Sequence, residues 1–516
     1  MRNLCAVLIA LALFFTPQAL ALEPLDADGL SDTLAGLLDT HDTAKRTNIA
    51  LKVVDLETGD VLFDRNSDKL LTPASNLKIY TSAAALALLG PEYTWETRIG
   101  LKAWDQARDK ESDVFVGYVA LLCDGDPMFD TEQMRAMIGD FIAHVDQTEL
   151  SGGILTVGTQ AWTDVPPKGP GWMWDDDPYY YNMTIGASML NFNVMSVSAS
   201  PGSDIDAPVV LEYDPPLAPG AFPIDSFSRS MSKNKAVTSS PDEDSTFVMG
   251  RDPFEDHIWA EGALPLGSKP VKERVSVFRP RYWISRAFEA MLEESSVVYQ
   301  GAMSYEEHDF DPLDPSAYEV VVEHQGKTLA EAIKHFLKVS ENAVGEMVLL
   351  KLAETFGEDN EVSWPSGAKV ISDWLVNEAG LEAGSFRLVD GSGLSRYNLI
   401  SADSSIRLLA YMKTHEHYEP FFDGLPVYKV ALPEAGSFNG VPLAEFDAER
   451  VFAKPGGMSG VSTISGYAQT LDGRWLAFSY LANGYIGSNA PIRDLRTKIW
   501  AELVRYQPAE VEAVAE

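Results

Sequence analysis

Cysteine is nearly absent from this chain, whose 516 residues include only Cys5 and Cys123. Cys5 lies in an apolar N-terminal run that we expect to be removed, so Cys123 would remain alone. A single cysteine excludes an intramolecular disulfide. Cys123 ends the apolar run Val119–Leu122, and this setting predicts a buried cysteine in a strand, without a reactive thiol.

Basic residues are also scarce, since 40 lysines and arginines face 76 aspartates and glutamates. The formal net charge of −36 and the pI near 4.5 argue against binding to nucleic acid or to anionic membranes, because both need lysine and arginine to neutralise phosphates. The eight histidines show no metal-ligand spacing, so we predict neither a metal nor another cofactor.

Long apolar segments are missing after the N-terminus. The first residues carry Arg2, the apolar run Leu4–Phe15 and then Ala19-Leu20-Ala21. This order is typical of a secretory signal peptide with cleavage after residue 21, and the run is too short to span a bilayer. We therefore expect an exported protein without a transmembrane segment.

Three short motifs stand in a fixed order along the chain: Ser75-Asn76-Leu77-Lys78, Ser340-Glu341-Asn342 and Lys454-Pro455-Gly456. Together they predict a serine acyl-transfer site in which a lysine, and not a histidine, accepts the proton of the serine. The third motif departs from the usual pattern, because Pro455 stands where threonine is expected.

The surroundings of Ser75 distinguish it from other Ser-x-x-Lys sequences, which begin at Ser230, Ser232 and Ser366. Thr72-Pro73 is typical of a helix N-terminus, a helix-forming run follows, and Gly90 can end it. Ser75 and Lys78 would then lie on one helical face.

The order of strand-like and helix-like segments along the chain predicts a discontinuous catalytic domain. Residues 48–64 alternate like a β-hairpin, residues 92–300 are rich in strands and turns, and helical periodicity resumes at residue 328. The first motif is thus separated from the other two by a long insert. We predict a signal peptide (1–21), a catalytic part (22–92), two inserted domains (93–300), a second catalytic part (301–507) and a disordered tail (508–516).

The chain resembles a class C low-molecular-mass penicillin-binding protein, and in particular the D-alanyl-D-alanine carboxypeptidase/endopeptidase family S13. The likeness runs from about residue 45 to 500 and rests on the motifs above together with Gly125-Asp126-Pro127, Pro170-Gly171-Trp172, Asp390 to Arg396, Leu425-Pro426 and Ser465-Gly466-Tyr467. It implies an α/β fold: a penicillin-recognising, β-lactamase-like domain of antiparallel sheet and helices, with smaller β-rich domains inserted.

The resemblance also implies a role for each motif residue. Ser75 would be the nucleophile, Lys78 its general base and Ser340 a proton relay, while Asn342 would hold the substrate amide and Lys454 would supply positive charge. The N–H groups of Ser75 and Gly457 would form the oxyanion hole. The substrate-binding residues would be Arg396, Pro455, Gly456 and Ser459.

Two positions depart from the family pattern. Pro455 has neither a hydroxyl nor an N–H to offer a substrate carboxylate. Where the family has an Asp-x-Ser-x-Phe sequence before Pro-Gly-Trp, this chain has Gly158 and Trp162, and it lacks the carboxylate that reads the diaminopimelate side chain.

We therefore expect a periplasmic serine DD-peptidase that cleaves peptidoglycan stem peptides through an acyl-enzyme and is covalently inhibited by β-lactams. One alternative is a catalytically impaired homologue that binds cell-wall peptide or a partner protein. Another is a related serine hydrolase, such as an esterase or a β-lactamase. The sequence predicts no oligomeric state.

Overall fold

The computed structural model describes residues 22–103, 114–145, 149–216, 232–295, 297–300, 311, 313–358, 361–433, 436–446 and 449–509. The expected signal peptide and nearly all of the expected tail lie outside the described residues. Within these ranges no helix is long and apolar enough to cross a membrane.

The helices of the described part are α1 (Ala27–Thr40), α2 (Lys78–Leu89), α3 (Thr131–Val145), α4 (Pro280–Glu294), α5 (Leu329–Val339), α6 (Asn342–Phe356), α7 (Trp364–Asn377), α8 (Ala402–Thr414), α9 (Tyr418–Gly424) and α10 (Ala490–Leu503). The strands are β1 (Asn48–Asp55), β2 (Val61–Arg65), β3 (Thr94–Ala103), β4 (Val114–Cys123), β5 (Glu149–Gly158), β6 (Val194–Ser200), β7 (Val210–Asp214), β8 (Ser232–Asn234), β9 (Val237–Ser239), β10 (Val248–Arg251), β11 (Ile258–Glu261), β12 (Ala263–Pro265), β13 (Val271–Ser276), β14 (Val298–Gln300), β15 (Glu319–Thr328), β16 (Phe386–Arg387), β17 (Leu399–Ile400), β18 (Val427–Lys429), β19 (Ser437–Phe438), β20 (Val441–Pro442), β21 (Glu449–Met458), β22 (Val461–Gln469) and β23 (Trp475–Asn483).

A six-stranded antiparallel sheet, here called the catalytic sheet, joins the two ends of the chain. Its strand order is β18-β21-β22-β23-β1-β2, so the N-terminal hairpin pairs with the last strand, β23. The predicted hairpin is therefore confirmed, and it belongs to the same sheet as β21, β22 and β23. This architecture confirms the expected α/β fold, in which distant parts of the sequence form one domain.

Both faces of the catalytic sheet are covered, which explains why β22 and β23 are buried along almost their whole length. Alternate residues of β23 enter different cores. Ala477 and Leu481 pack against the helical layer that contains α2, α5 and α6, whereas Phe478 and Tyr480 pack against α1 and α10. Helix α2 can lie inside this layer because Ala83, Ala84 and Ala85 allow close packing on every side.

The insert forms sheets of its own. A five-stranded mixed sheet has the order β14-β5-β4-β3-β15 and packs against α3 and α4. Cys123 is buried at the end of β4, as expected. Since β15 pairs with β3, this sheet continues to residue 328, beyond the boundary at residue 300 that the sequence suggested.

The start of the Ser75 helix differs from the prediction. Residues Ala74–Leu77 form a 3₁₀ turn, and α2 begins only at Lys78. Thr72 is not a helix cap: Pro73 holds the N-cap position of the turn, without a side-chain cap. The backbone N–H and C=O of Thr72 bond instead to the side chain of Asn483 on β23. Gly90 ends the helix with a φ of 81°, as predicted.

Candidate active site

Ser75 and Lys78 form a hydrogen-bonded pair at the junction between the 3₁₀ turn and α2. The Lys78 Nζ lies 3.0 Å from the Ser75 Oγ. Lys78 is fully buried, and its Nζ also lies 2.7 Å from the Asn342 Oδ1 and 2.8 Å from the Ser392 carbonyl oxygen. The amine therefore has three fixed partners, of which only Ser75 has a hydroxyl proton to give.

Burial lowers the pKa of the Lys78 amine to about 8, and the charges of Glu346, Asp390 and Glu341 oppose this effect. At neutral pH about a tenth of the molecules would then carry the neutral amine. A neutral amine can donate its two protons to Asn342 and to Ser392 and use its lone pair to accept a proton from Ser75. The geometry thus suits a general base.

The Ser392 carbonyl is held in place by a buried carboxyl group. Glu346, on α6, accepts hydrogen bonds from the N–H groups of Gly391 and Ser392 at 2.8 and 2.9 Å. Burial, with the charge of Asp390 second, raises the pKa of Glu346. This loop therefore supplies Lys78 with a rigid acceptor.

The second motif lies in the break between α5 and α6. Ser340 ends α5 in the left-handed region with a φ of 68°, and Asn342 is the first residue of α6. The Asn342 side chain bridges two parts of the site, because its Oδ1 contacts Lys78 and its Nδ2 donates to the Tyr181 carbonyl oxygen at 2.9 Å. Tyr181 belongs to the insert.

The third motif lies on β21, against the Ser75 turn. Lys454 is almost fully buried, and its carbonyl oxygen accepts a hydrogen bond from the Asn76 Nδ2 at 2.7 Å. Burial, followed by the charge of Lys78, holds the pKa of the Lys454 amine well below its usual range. The charge of Lys78 thus adds to burial in favouring the neutral form of Lys454.

Glycine at position 456 allows β21 to approach the nucleophile. A Cβ atom there would lie 2.3 Å from the Pro73 carbonyl oxygen and 2.6 Å from the Asn76 nitrogen. Gly457, the expected oxyanion-hole residue, has open space around it. Pro455 pairs with Ile464 on one side, and the pairing of β18 stops at Phe452, so no described strand lies on its other side. The proline is thus tolerated, because it lies at a sheet edge.

The motifs meet in a cleft of about 590 Å³, here called the Ser75 cleft. Of the predicted site residues, those that line it are Ser75, Ser340, Asn342, Arg396, Gly457 and Ser459. Lys78 and Lys454 lie buried behind the wall. Pro455 and Gly456 are not among the lining residues, although Pro455 shares a strand face with Gly457 because side chains alternate along β21.

The insert contributes one wall of this cleft, which sequence reasoning missed. Its lining residues there are Met173, Asp175, Asp176, Tyr180, Tyr181 and Arg274. Arg274 contacts Glu341 at 3.2 Å and lies 4.7 Å from the centre of the Tyr180 ring. The aromatic run 179–181 was the available signal, but no local pattern indicates which distant residues it faces.

The Pro170-Gly171-Trp172 segment attaches the insert to the loop Asp390 to Arg396 of the catalytic part. Trp172 Nε1 donates to the buried Asp390 carboxylate at 3.0 Å. Gly171 has a φ of 76°, and a Cβ there would clash with Tyr397 and Ser395. The segment therefore holds the wall of the Ser75 cleft in position.

Gly158 and Trp162 lie outside the lining of the Ser75 cleft. A Cβ at Gly158 would meet the Ala187 Cβ at 2.8 Å, and the Trp162 Nε1 donates to Glu354 at the far end of α6. Both residues line a different cleft.

One group of side chains in the described ranges has the spacing of metal ligands: Asp252, Glu255 and His257. Glu255 already contacts the His257 ring at 2.6 Å. None of the three lines the Ser75 cleft.

Comparison with known proteins identifies the family. The profile of the D-Ala-D-Ala carboxypeptidase 3 (S13) family matches residues 30–503. The chain belongs to this family. It is thus a member of a serine-type peptidase family, and the expected enzyme class is confirmed.

Individual relatives agree with this assignment. A D-alanyl-D-alanine carboxypeptidase from Actinomadura sp. (strain R39) is 30% identical over 468 residues, which cover 89% of this chain and 82% of the relative. The D-alanyl-D-alanine carboxypeptidase DacB of Haemophilus influenzae is 21% identical over 98% of this chain and 100% of the relative.

Solved structures show the same fold. The crystal structure of penicillin binding protein 4 (dacB) from Haemophilus influenzae has a TM-score of 0.71 at 19% identity and covers 92% of this chain and 99% of that one. The same protein complexed with a β-lactam has a TM-score of 0.66 at 18% identity, with the same coverage.

Proposed function

We propose that this S13 protein is an extracytoplasmic DD-peptidase that cleaves D-Ala-containing stem peptides of peptidoglycan through an acyl-enzyme on Ser75. The observation that carries this proposal is the 3.0 Å contact between Ser75 and a buried Lys78 whose other two partners are fixed. The family and the names of its relatives supply the substrate class.

The first step would be attack of the Ser75 Oγ on the penultimate D-Ala carbonyl carbon. The hydroxyl proton passes to the Lys78 amine, and the carbonyl oxygen becomes an oxyanion between the N–H groups of Ser75 and Gly457. Lys78 then returns a proton through Ser340 to the leaving nitrogen, and the peptide bond breaks. Water hydrolyses the resulting ester and regenerates Ser75.

Substrate binding would use both walls of the Ser75 cleft. Asn342 would bind an amide of the substrate, and for this its Nδ2 must exchange the Tyr181 carbonyl oxygen for one from the substrate. Arg396 and Ser459 line the opposite side and could contact the substrate carboxylate. A bound carboxylate would favour protonation of Lys454.

We further propose that Pro455 weakens recognition of a free terminal carboxylate. Threonine at this position would present a hydroxyl on the face that Gly457 shares, and proline cannot. Cross-linked or otherwise modified peptides would then be better substrates than free D-Ala-D-Ala ends, and endopeptidase action would outweigh carboxypeptidase action.

Release of D-alanine tests the activity directly. The purified mature chain should release it from a diacetyl-Lys-D-Ala-D-Ala peptide, and Ser75→Ala should not. If this peptide releases no D-alanine and a cross-linked stem peptide is not split into its two stem peptides, the proposed activity is contradicted. It would favour the second candidate, a homologue that binds cell-wall peptide without turnover, for which Pro455 is the main support.

A further inference from the structure

A second cleft, of about 850 Å³, lies in the insert and shares no lining residue with the Ser75 cleft. We call it the arginine cleft. It lies between the end of β5, the start of α4 and the segments 159–165 and 184–188. Its lining includes Thr156, Trp162, Thr184, Arg281, Tyr282 and Ser285. Its volume is in the range of small-ligand sites.

Arginines are concentrated at this cleft. Arg279, Arg281 and Arg286 line it within eight residues of sequence, in a chain of formal net charge −36. Arg279 pairs with Asp256 at 3.4 Å, and Arg286 pairs with Glu289, so their charges are compensated.

Arg281 has no such compensation within the described ranges. Its Nε donates to the Thr156 carbonyl oxygen at 3.2 Å, and no carboxylate of a described residue comes within 4.0 Å of its guanidinium. The nearby Asp311 is exposed at the border of the cleft. One hydrogen bond fixes the Arg281 side chain, and its remaining N–H groups can bind a ligand.

The start of α4 adds a second attraction for anions. Arg281 is the second residue of this 15-residue helix, and Arg279, at the N-cap, forms no side-chain cap. The first N–H groups of a helix have no partner within the helix, and its N-terminus carries partial positive charge. Pro280 has no N–H and the Trp283 N–H bonds to the Arg279 carbonyl oxygen, so the helix end contributes mainly its partial positive charge. Since Pro280 and Arg281 both line the cleft, this charge lies beside the guanidinium.

We propose that the arginine cleft binds the carboxylate of a peptide ligand. A carboxylate can accept two parallel hydrogen bonds from a guanidinium group. Ile154, Val165 and Ile185 are among the lining residues and provide an apolar surface for small aliphatic groups beside it. The Thr156 and Ser285 hydroxyls bond to each other at 2.8 Å, and Ser285 also donates to the Arg281 carbonyl oxygen, so Arg281 is the donor left for the ligand. The cleft thus fits a short acidic peptide.

The arginine cleft lies apart from the Ser75 cleft. Trp162 bonds to Glu354, and Glu354 lies 12 residues after Asn342 on the same helix, which corresponds to roughly 18 Å. Binding there goes beyond the proposed reaction and does not depend on it.

Titration calorimetry with N-acetyl-L-alanyl-D-glutamate tests this proposal, because this probe carries carboxylates and has no D-Ala-D-Ala bond. The wild-type chain should bind it, with an affinity that falls as salt rises. Arg281→Ala should weaken binding at least tenfold, and Arg281→Lys should fall between the two. The diamide of the probe should bind at least tenfold more weakly than the acid.

Two control variants separate this cleft from other basic sites. Lys272→Ala removes an exposed charge on β13, and Arg396→Ala removes the arginine of the Ser75 cleft; neither should change the affinity. The proposal is overturned if the wild type shows no binding at millimolar probe, if Arg281→Ala binds as tightly as the wild type, or if only Arg396→Ala loses binding. Circular dichroism spectra should confirm that each variant is folded.

Discussion

Lys78 has three polar partners and no contact with solvent, and in the proposed mechanism its protonation state decides whether Ser75 can react. Deprotonation is possible near neutral pH because burial outweighs the nearby carboxylates. Ser75 and Lys78, the proposed nucleophile and base, are three residues apart, so the local turn sets their distance. Asn342 and Ser392, which orient the amine, come from distant parts of the chain.

The pH dependence of acylation should reveal this amine. The reactive form is neutral, and the pKa is lowered to about 8, so the acylation rate should rise about tenfold per pH unit below 8 and level off above it. A chromogenic β-lactam, followed between about pH 6 and 10, measures the rate. Lys78→Ala should lose orders of magnitude and show no rise. A wild-type rate that still climbs at pH 10 would mean that the pKa is not lowered.

Pro455 provides a second test at the scale of one residue. Pro455→Thr should raise kcat/KM on a D-Ala-D-Ala peptide by about ten- to a hundredfold, as expected for a hydrogen bond to a charged group, worth roughly 1.5–3 kcal/mol. Thermal stability should hardly change, because the residue lies at a sheet edge. If the wild type is already efficient and the substitution adds nothing, the hypothesis about Pro455 is wrong.

At the scale of elements, the site depends on the close contact between β21 and the Ser75 turn. Asn76 bonds to the Lys454 carbonyl oxygen, and Thr463 Oγ1 donates to the Pro73 carbonyl oxygen at 2.6 Å. These bonds align the turn with the strand that carries Lys454 and Gly457. The distance between the two elements is set by the missing side chain at Gly456.

Two neighbouring glycines make a matched experiment. Gly456→Ala should lower the free energy of unfolding by about 1–3 kcal/mol, because its Cβ would overlap Pro73 and Asn76 and force the strand away. Gly457→Ala should cost much less, since the nearest contact of a Cβ there is 4.0 Å away. Urea denaturation of both variants measures the difference. Equal losses of unfolding free energy would show that the close approach of β21 to the Ser75 turn does not exclude a side chain at position 456.

The elements that could be predicted from the sequence were those with local signals. The alternation in residues 48–64 and the helical periodicity that resumes at residue 328 each depend on neighbouring residues. The 3₁₀ turn at Ala74–Leu77 was missed, because the backbone of Thr72 is held by the side chain of Asn483 on β23, a partner that no local pattern indicates. The wall formed by Tyr180 and Tyr181 was missed for a similar reason, since tertiary contacts alone decide which cleft it faces.

At the scale of the whole molecule, the formal net charge of −36 opposes folding through self-repulsion. Added salt screens this repulsion, so the melting temperature should rise when NaCl increases from about 0.05 to 0.5 M. KCl should have the same effect at equal ionic strength. A melting temperature that falls with either salt would indicate that attractive ion pairs dominate. Scanning calorimetry gives the comparison.

Strands from the N-terminal and C-terminal parts of the described chain pair in one sheet. The hairpin β1–β2 pairs with β23, and the Ser75 turn follows this hairpin directly. The fold family and the motif residues could be recognised from the sequence because the three motifs keep their order along the chain, although the insert separates the first from the second. The contact between Trp172 of the insert and Asp390 of the catalytic part could not be predicted from the sequence, since it depends on how separate sheets are packed.

The central claim is that Ser75 is the residue that is acylated, and intact-protein mass spectrometry after incubation with benzylpenicillin tests it most directly. The wild type should gain the mass of one penicilloyl group, and peptide mapping should locate it on Ser75. Ser366→Ala is the matched control, because Ser366 also begins a Ser-x-x-Lys sequence but its hydroxyl donates to the carbonyl oxygens of Glu361 and Ser363, just before α7. This variant should be labelled like the wild type, whereas Ser75→Ala should remain unlabelled with an unchanged circular dichroism spectrum. Labelling that persists in Ser75→Ala, or a wild type that never gains the adduct, would contradict the account.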